Sequence, residues 1–321
     1  NRFAIAVDVR FSKTYLMLAD FSGQQLALET YDTIFSIPAF VKDLASRIRR
    51  MAKNNGFLAN CEGIGVVVPG MVDQRTGRIL NAPALGWTGV DIRDRIVAAT
   101  GLPVHIENSA RACALAQLWL ERGDSRPQSF AYVSISDGVG VGIVVNGELL
   151  RGHDQIAGEF GHLALNVDGP RCMCGAKGCW EAYSSNLAIL SNYFGWNLSK
   201  LSPKALQDSE QDPFTILGLI ERARGGDAKA IAAIESSARF LGLGLAMIVN
   251  AINPDCIYLS GEITTAWDMI EGMVRKGLGE RALTEAAART PLLLTPTQDY
   301  PRLKGAAALI AAPTFAAPRV A

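Results

Sequence analysis

Apolar, β-favouring residues come in short dense runs at the start of the chain. Phe3–Val9 (FAIAVDV) and Thr14–Asp20 (TYLMLAD) flank a short polar turn, and QQLALETYD follows the Ser22-Gly23 turn, so the pattern predicts three meandering strands. Between Ile37 and Lys53 the apolar residues Phe40, Val41, Leu44, Ile48 and Met51 recur at helical spacing. The continuous run GIGVVVPG (Gly63–Gly70), closed by Pro-Gly, predicts a strand buried on both faces. A helix over Asp91–Thr100, a strand over Val104–Asn108 and a helix over about Ala110–Glu121 complete the first third.

Near Ser129 the theme restarts. FAYVSIS, VGIVVNG and ELLRG repeat the layout of strands joined by a tight turn. Two long helices are predicted later. One runs over Pro213–Arg224, with Asp212 as its cap and Pro213 at its first position, and the other over Asp227–Asn250. A buried strand (Cys256–Gly261), another helix, the strand LLLTPT and an Ala-rich helix follow, and the aperiodic tail PTFAAPRVA is expected to be mobile. The doubled arrangement predicts two α/β domains with a cleft between them. No apolar run approaches ~18 residues, so no membrane span is expected.

Composition narrows the picture. The 321 residues suit about two domains, and 49% hydrophobic against 19% charged residues exclude a disordered chain. Lys and Arg number 31, as do Asp and Glu, so the net charge is zero. That balance argues against nucleic-acid binding through the bulk field of the chain. No basic stretch precedes an apolar one at the start, so no secretory signal is read and a cytoplasmic protein with reduced thiols is expected. The first residue is Asn1 rather than Met, which leaves room for a segment removed upstream.

Of the six cysteines, Cys61, Cys113 and Cys256 sit in apolar or helical stretches and read as small buried hydrophobes. Cys172, Cys174 and Cys179 crowd into eight residues, with His162 ten residues upstream. Three thiolates and one imidazole complete a tetrahedral zinc site with no open position, so a structural zinc is expected rather than a hydrolytic one. Gly175 and Gly178 allow the sharp turns, and Arg171 and Lys177 offset thiolate charge.

The segment ELLRGHDQIAGEFGHLALNVDGPRCMCGAKGCWEAYSS resembles the signature of the ROK family, named for repressors, open reading frames and kinases. VVVPGMVD, NAPALGW, IENSARACALAQ and NPDCIYLSGE extend the resemblance over most of the chain. It implies an actin-like, ribonuclease-H-like two-domain fold of the sugar kinase and Hsp70 type. It also implies a sugar in the interdomain cleft and a homodimer or tetramer. The implied domains are 1–108, joined by the C-terminal helix 303–312, and 109–302, which carries the zinc loop 162–179. The implied sugar ligands are Asn108, Glu159, His162 and Glu181, with Gly70 close by and Asn81 contributing. His162 would bind zinc through one ring nitrogen and a hydroxyl through the other. Other readings stay open. Asn108 also fits a helix N-cap, with Ser109 competing, Glu181 also fits a carboxylate at a helix N-terminus, and Glu159 also fits a solvated acid.

Family kinases carry Asp directly after this Asn as the general base, where this chain has Ser109. A neutral hydroxyl cannot take the proton, and losing a positioned base costs roughly 10²–10⁴-fold in rate. The first phosphate turn, Gly-Gly-Thr after the strand-one Asp in kinases, here reads Asp8-Val9-Arg10-Phe11-Ser12-Lys13-Thr14. The second keeps Gly138, Gly140 and Gly142 but places Asp137 where a hydroxyl is usual, and Ser260-Gly261-Glu262 replaces a glycine run. The glycines also suit a plain hairpin turn. Phosphoryl transfer relies on these parts for positioning and electrostatics. The sequence therefore predicts the sugar-binding effector and oligomerisation part of a ROK transcriptional repressor, with no catalytic residue. Its effector would be a monosaccharide or a sugar derivative. Operator DNA would be contacted only through an N-terminal winged helix-turn-helix outside this stretch. The alternative is an ATP-dependent sugar kinase of glucokinase or fructokinase type.

Overall fold

In the first strand, Phe3–Val9 (β1), large and small residues alternate. Ile5, Val7 and Val9 enter one core, while Ala4 and Ala6 enter another on the opposite face. Cys61–Val68 (β4) repeats this, with Ile64, Val66 and Val68 on the first face and Val67 on the second. The period of two thus sorts the faces by size. The large side meets the helices Ile37–Asn55 (α1) and Ile92–Thr100 (α2), through Phe40, Leu44, Ile48, Ile92 and Ile96. The small side admits the last helix at close range, and a Cβ at Gly65 would lie 1.8 Å from the Ala306 carbonyl oxygen.

The computed structural model describes residues 2–56, 60–120, 126–200 and 215–315. Two compact units result. One comprises Asn1–Arg126, Arg151–Ile156 and Tyr300–Ala321, and the other Pro127–Leu150 and Ala157–Asp299. The sheet of the first unit is ordered β3-β2-β1-β4-β8, where β2 is Lys13–Asp20, β3 is Gln25–Asp32 and β8 is Val104–Asn108. The first three strands are antiparallel, and β4 and β8 run parallel to β1. A three-stranded antiparallel sheet, which the hydrophobic pattern did not announce, is built from Met71–Asp73 (β5), Arg78–Ala82 (β6) and Trp87–Val90 (β7). Its strands are too short for periodicity to register.

The helix after Asn108, Ser109–Leu120 (α3), belongs to the first unit rather than lying beyond a boundary at 108. The reason is its packing against the last helix, Pro301–Phe315, where Trp119, Ala308 and Ala311 form a cluster. The last helix includes the first residues of the tail expected to be aperiodic; positions 316–321 of that tail lie outside the described residues.

The second unit repeats the plan. Its sheet is ordered β11-β10-β9-β12-β13, from Phe130–Ile135 (β9), Val139–Val145 (β10), Glu148–Leu149 (β11), Cys256–Ser260 (β12) and Leu292–Thr295 (β13). Again a hairpin leads, and the later strands pair in parallel. Its helices are Glu181–Ser184 (α4), Asn186–Phe194 (α5), Ile216–Arg224 (α6), Ala228–Ile252 (α7), Trp267–Arg281 (α8) and Glu285–Ala288 (α9), and α10 is the last helix of the first unit. The predicted start of α6 is corrected. Its N-cap is Thr215, which accepts from Gly218 N, while Asp212 and Pro213 lie outside the described residues. Asp227 caps α7 by accepting from Lys229 and Ala230 N. By length and composition alone α7 is apolar enough to cross a membrane, the one such helix among the described residues, but its apolar side is taken up inside the unit. Its buried residues, among them Ile234, Leu241, Leu245 and Val249, form the core of this unit.

The fully buried Trp180 ring lies against α7, where a Cβ at Gly244 would fall 1.9 Å from its Cε2. Gly244→Val should therefore lower the unfolding free energy by about 1–3 kcal/mol, the usual cost of overpacking a core. Urea denaturation checks this, and an unchanged midpoint would contradict the contact.

Candidate functional site

The predicted residues assemble as one group in each unit. In the first, Val68 and Asn108 pair at the ends of β4 and β8, so Asn108 leaves the sheet beside the turn at Gly70. Asn108 Nδ2 donates to the Gly70 carbonyl at 2.9 Å, and its Oδ1 accepts from Ala110 N and Arg111 N at 2.9 and 3.1 Å. Asn108 is thus the N-cap of α3, and it keeps one amide N–H to offer a ligand. Asn81 pairs with Met71 across β6 and β5, and its Oδ1 accepts from the Thr88 hydroxyl at 3.2 Å. The Asn81 carbonyl presses on Gly70, leaving 2.5 Å to a Cβ placed there.

Beneath Asn108 is an ion pair that the sequence reading passed over. Glu107 and Arg111 are both buried, and Arg111 Nε donates to Glu107 Oε1 at 2.8 Å. Arg111 also donates to the carbonyls of Gln155 (2.5 Å) and Val72 (3.3 Å), and Arg151 Nη2 lies 3.4 Å from Glu107 Oε2. One guanidinium therefore ties the strand end, the small sheet and the segment Arg151–Ile156 together. The spacing of four residues was the available signal.

In the second unit the segment 162–180 folds back on itself through bridges between Ala164 and Cys179 and between Arg171 and Lys177. The four ligand atoms of His162, Cys172, Cys174 and Cys179 lie within 4.8 Å of one another, so the cluster can hold a metal ion. The Sγ atoms of Cys174 and Cys179 are 3.7 Å apart, and Cys172 Sγ is 4.0 Å from His162 Nδ1. Tetrahedral zinc with bonds of ~2.3 Å to sulfur needs edges of about 3.8 Å, so the donor set fits in both chemistry and spacing. Without a cation, burial pushes the Cys172 and Cys179 thiols up, Cys179 to about 11. A bound cation holds such thiols deprotonated.

The carboxylates adjoin this cluster. His162 Nδ1 faces Cys172, while its Nε2 lies 3.8 Å from Glu159 Oε2. Glu181, first residue of α4, accepts from Val139 N at 3.0 Å through Oε2, and its Oε1 is 3.4 Å from Cys172 Sγ. This contact accounts for Gly138. A Cβ there would fall 2.4 Å from Glu181 Oε2, so glycine leaves room for the carboxylate in the position from which it reaches Val139 N.

Arg10 stands in the turn that follows the strand-one Asp. Its Nε donates to the fully buried Asp8 Oδ2 at 2.7 Å, and its guanidinium lies 4.5 Å from the centre of the Tyr15 ring. Arg302 Nη1 is 3.9 Å from Asp8 Oδ1. Ser109, at the position of the kinase base, is buried at the start of α3.

The sequence profile of the ROK family matches residues 4–312. The chain belongs to the ROK family. A xylose repressor of Bacillus subtilis is 32% identical over 72% of this chain, which spans 56% of that repressor's length. A ROK glucokinase from Streptomyces griseus, solved with glucose and AMPPNP, superposes with a TM-score of 0.82 at 25% identity, covering 96% of this chain and 99% of that one. A ROK transcriptional regulator, homologous to the MLC protein of E. coli, superposes at 0.77 with 24% identity, covering 96% and 78%. The actin-like sugar kinase fold of this ROK chain is thereby shown.

Arg111→Ala should cost about 3–5 kcal/mol, because it removes the buried partner of the Glu107 carboxylate and leaves only Arg151 near it. Glu107→Gln with Arg111→Met should recover much of that loss. Chemical denaturation of both variants reads this out, and a near-neutral Arg111→Ala would contradict the clamp.

Proposed function

We propose that this chain is the sugar-sensing and oligomerisation part of a ROK transcriptional regulator and does not phosphorylate its ligand. The observation that carries the reading is the Arg10–Asp8 pair. A kinase needs the strand-one carboxylate and a glycine turn open to a metal–nucleotide. Here the carboxylate is buried, and its Oδ2 accepts from a guanidinium that lies over the Tyr15 ring, while Arg302 stands 3.9 Å from its Oδ1. A metal–nucleotide would have to break that pair, and removing one partner of a buried pair is costly. Ser109 supplies no general base. Likeness to a xylose repressor and to a ROK regulator points the same way.

In this reading Asn108, Glu159, His162 and Glu181 hold hydroxyls of a monosaccharide, with Gly70 and Asn81 shaping the approach. His162, Cys172, Cys174 and Cys179 hold one structural zinc. Zinc fixes the loop so that Glu159, His162 and Glu181 keep their positions. Operator recognition is assigned to residues outside this stretch, in a homo-oligomer. The kinase reading draws on glucokinases among the relatives in sequence and on the superposition on a ROK glucokinase, with Gly138, Gly140 and Gly142 retained. The fit of Glu181 against Gly138 weakens that support, since it explains the glycine without phosphate.

A sugar-library thermal-shift screen should find a stabilising monosaccharide. Glu159→Ala should weaken its binding by about 1–3 kcal/mol, as when a hydroxyl loses a charged partner. A coupled assay with ATP should give no turnover, and a rate near ~1 s⁻¹ or above would establish the kinase instead. Elemental analysis should find one zinc per chain, and Cys174→Ser should lower both the zinc content and the melting temperature. Protein purified without chelators that carries no zinc would refute the metal assignment.

A further inference from the structure

The zero net charge conceals a separation. The first unit carries 19 Lys and Arg against 13 Asp and Glu, and the second carries 12 against 18. The balance that spoke against a polyanion partner therefore does not describe either unit.

Most cations of the first unit are spent on partners. Arg10 and Arg302 face Asp8, Arg47 and Arg50 hold Glu29, Arg111 and Arg151 hold Glu107, and Arg78 lies near Asp91. Lys42, Arg49, Lys53 and Arg95 have no ion pair among the described residues, and all four are exposed. Three of them share one side of α1, at intervals of seven and four residues with Ser46 between, so they form a stripe. Arg95 lies on α2, which Arg49 bridges by donating from Nη1 to the Ala99 carbonyl at 3.3 Å. Asp43 does not oppose the stripe, because Arg47 holds it.

We propose that this α1–α2 face binds the phosphate backbone of duplex DNA. The stripe from Lys42 to Lys53 extends about 16 Å at ~1.5 Å per helical residue. Several phosphates fall within that length, since each strand carries one charge per ~3.4 Å of axis. The exposed side of these helices offers little for a protein partner. Among their described residues Val97 is the one large hydrophobic that is exposed, whereas protein interfaces are anchored by buried aromatic and apolar groups. Backbone contacts of this kind position a protein on a duplex without reading its sequence. The inference rests on the regulator reading for the reason that DNA lies within reach, and the face would add sequence-independent affinity to an operator complex.

The test uses the 321-residue chain and a short labelled duplex of random sequence, followed by fluorescence anisotropy. About four phosphate contacts predict a weakening on the order of 100-fold between ~50 and ~200 mM salt. The variant K42Q/R49Q/K53Q should bind more weakly at low salt and lose only a few-fold over the same range. Its melting temperature and its stabilisation by sugar should match the unsubstituted chain, which separates this face from the sugar site. Equal binding by both proteins, or no binding at low salt, overturns the proposal. So does competition by polyglutamate that equals the duplex at matched charge, because the face would then suit an acidic protein. The sugar screen and the ATP assay decide the regulator reading independently of these outcomes.

Discussion

Trp180 is set by its packing, and the two residues beside it inherit that setting. Its ring is fully buried against Gly244 of α7, and its backbone N–H donates to the Leu163 carbonyl at 2.9 Å. Cys179 on one side turns into the thiol cluster, and Glu181 on the other reaches Val139 N. A candidate metal ligand and a candidate sugar ligand are therefore fixed by one aromatic residue packed against the longest described helix. The arrangement explains how a segment with little regular structure can hold a precise geometry. Its backbone is pinned at both ends, at Leu163 and at Trp180, and a metal would close the middle. Glu181 then supports the glycine turn, so the turn, the loop and the helix form one rigid assembly.

The first unit solves a similar problem with charge. Asn108 must leave a buried strand and cap a helix at the same step. The Glu107–Arg111 pair beneath it supplies the restraint, and Arg111 reaches three separate segments. A buried pair is weak evidence for stability, but this guanidinium donates to acceptors on three separate segments. Here the arrangement sets the direction in which Asn108 presents its remaining N–H.

Much of this was legible in the sequence where the signal was local and strong. Dense apolar runs marked the main strands of the two five-stranded sheets, and the spacing of His162 with three cysteines marked the cluster. What escaped depended on distant partners. The sheet of β5, β6 and β7 has strands of three to five residues, below the reach of a period-two pattern. The α3 helix looked like the start of a second domain, and only its packing on the last helix places it in the first. Gly138 lies in the β9–β10 hairpin turn as expected, but its approach to Glu181, 43 positions away in sequence, carried no local signal.

Arg10 and the surplus cations of α1 illustrate how the same residue type acquires different meanings through burial. The Asp8 carboxylate is out of water, and a charge so placed is tolerable only when it is matched. Arg10 matches it at 2.7 Å with a stacked, partly covered guanidinium, which removes that residue from the inventory of surface charge. Lys42, Arg49 and Lys53 stay exposed and unmatched, so they keep their field. A formal charge of zero adds these two kinds of cation as if they were alike, and sets both against acids in another unit. Sorted by partner, the charges of the first unit fall into an internal set that holds its strand ends and an external set collected on two neighbouring helices. Screening reinforces the distinction, because the external set feels salt over a Debye length of ~8–10 Å while the internal set is largely shielded. The two sets are thus separable by ionic strength alone, which leaves the fold intact as the external field is turned down.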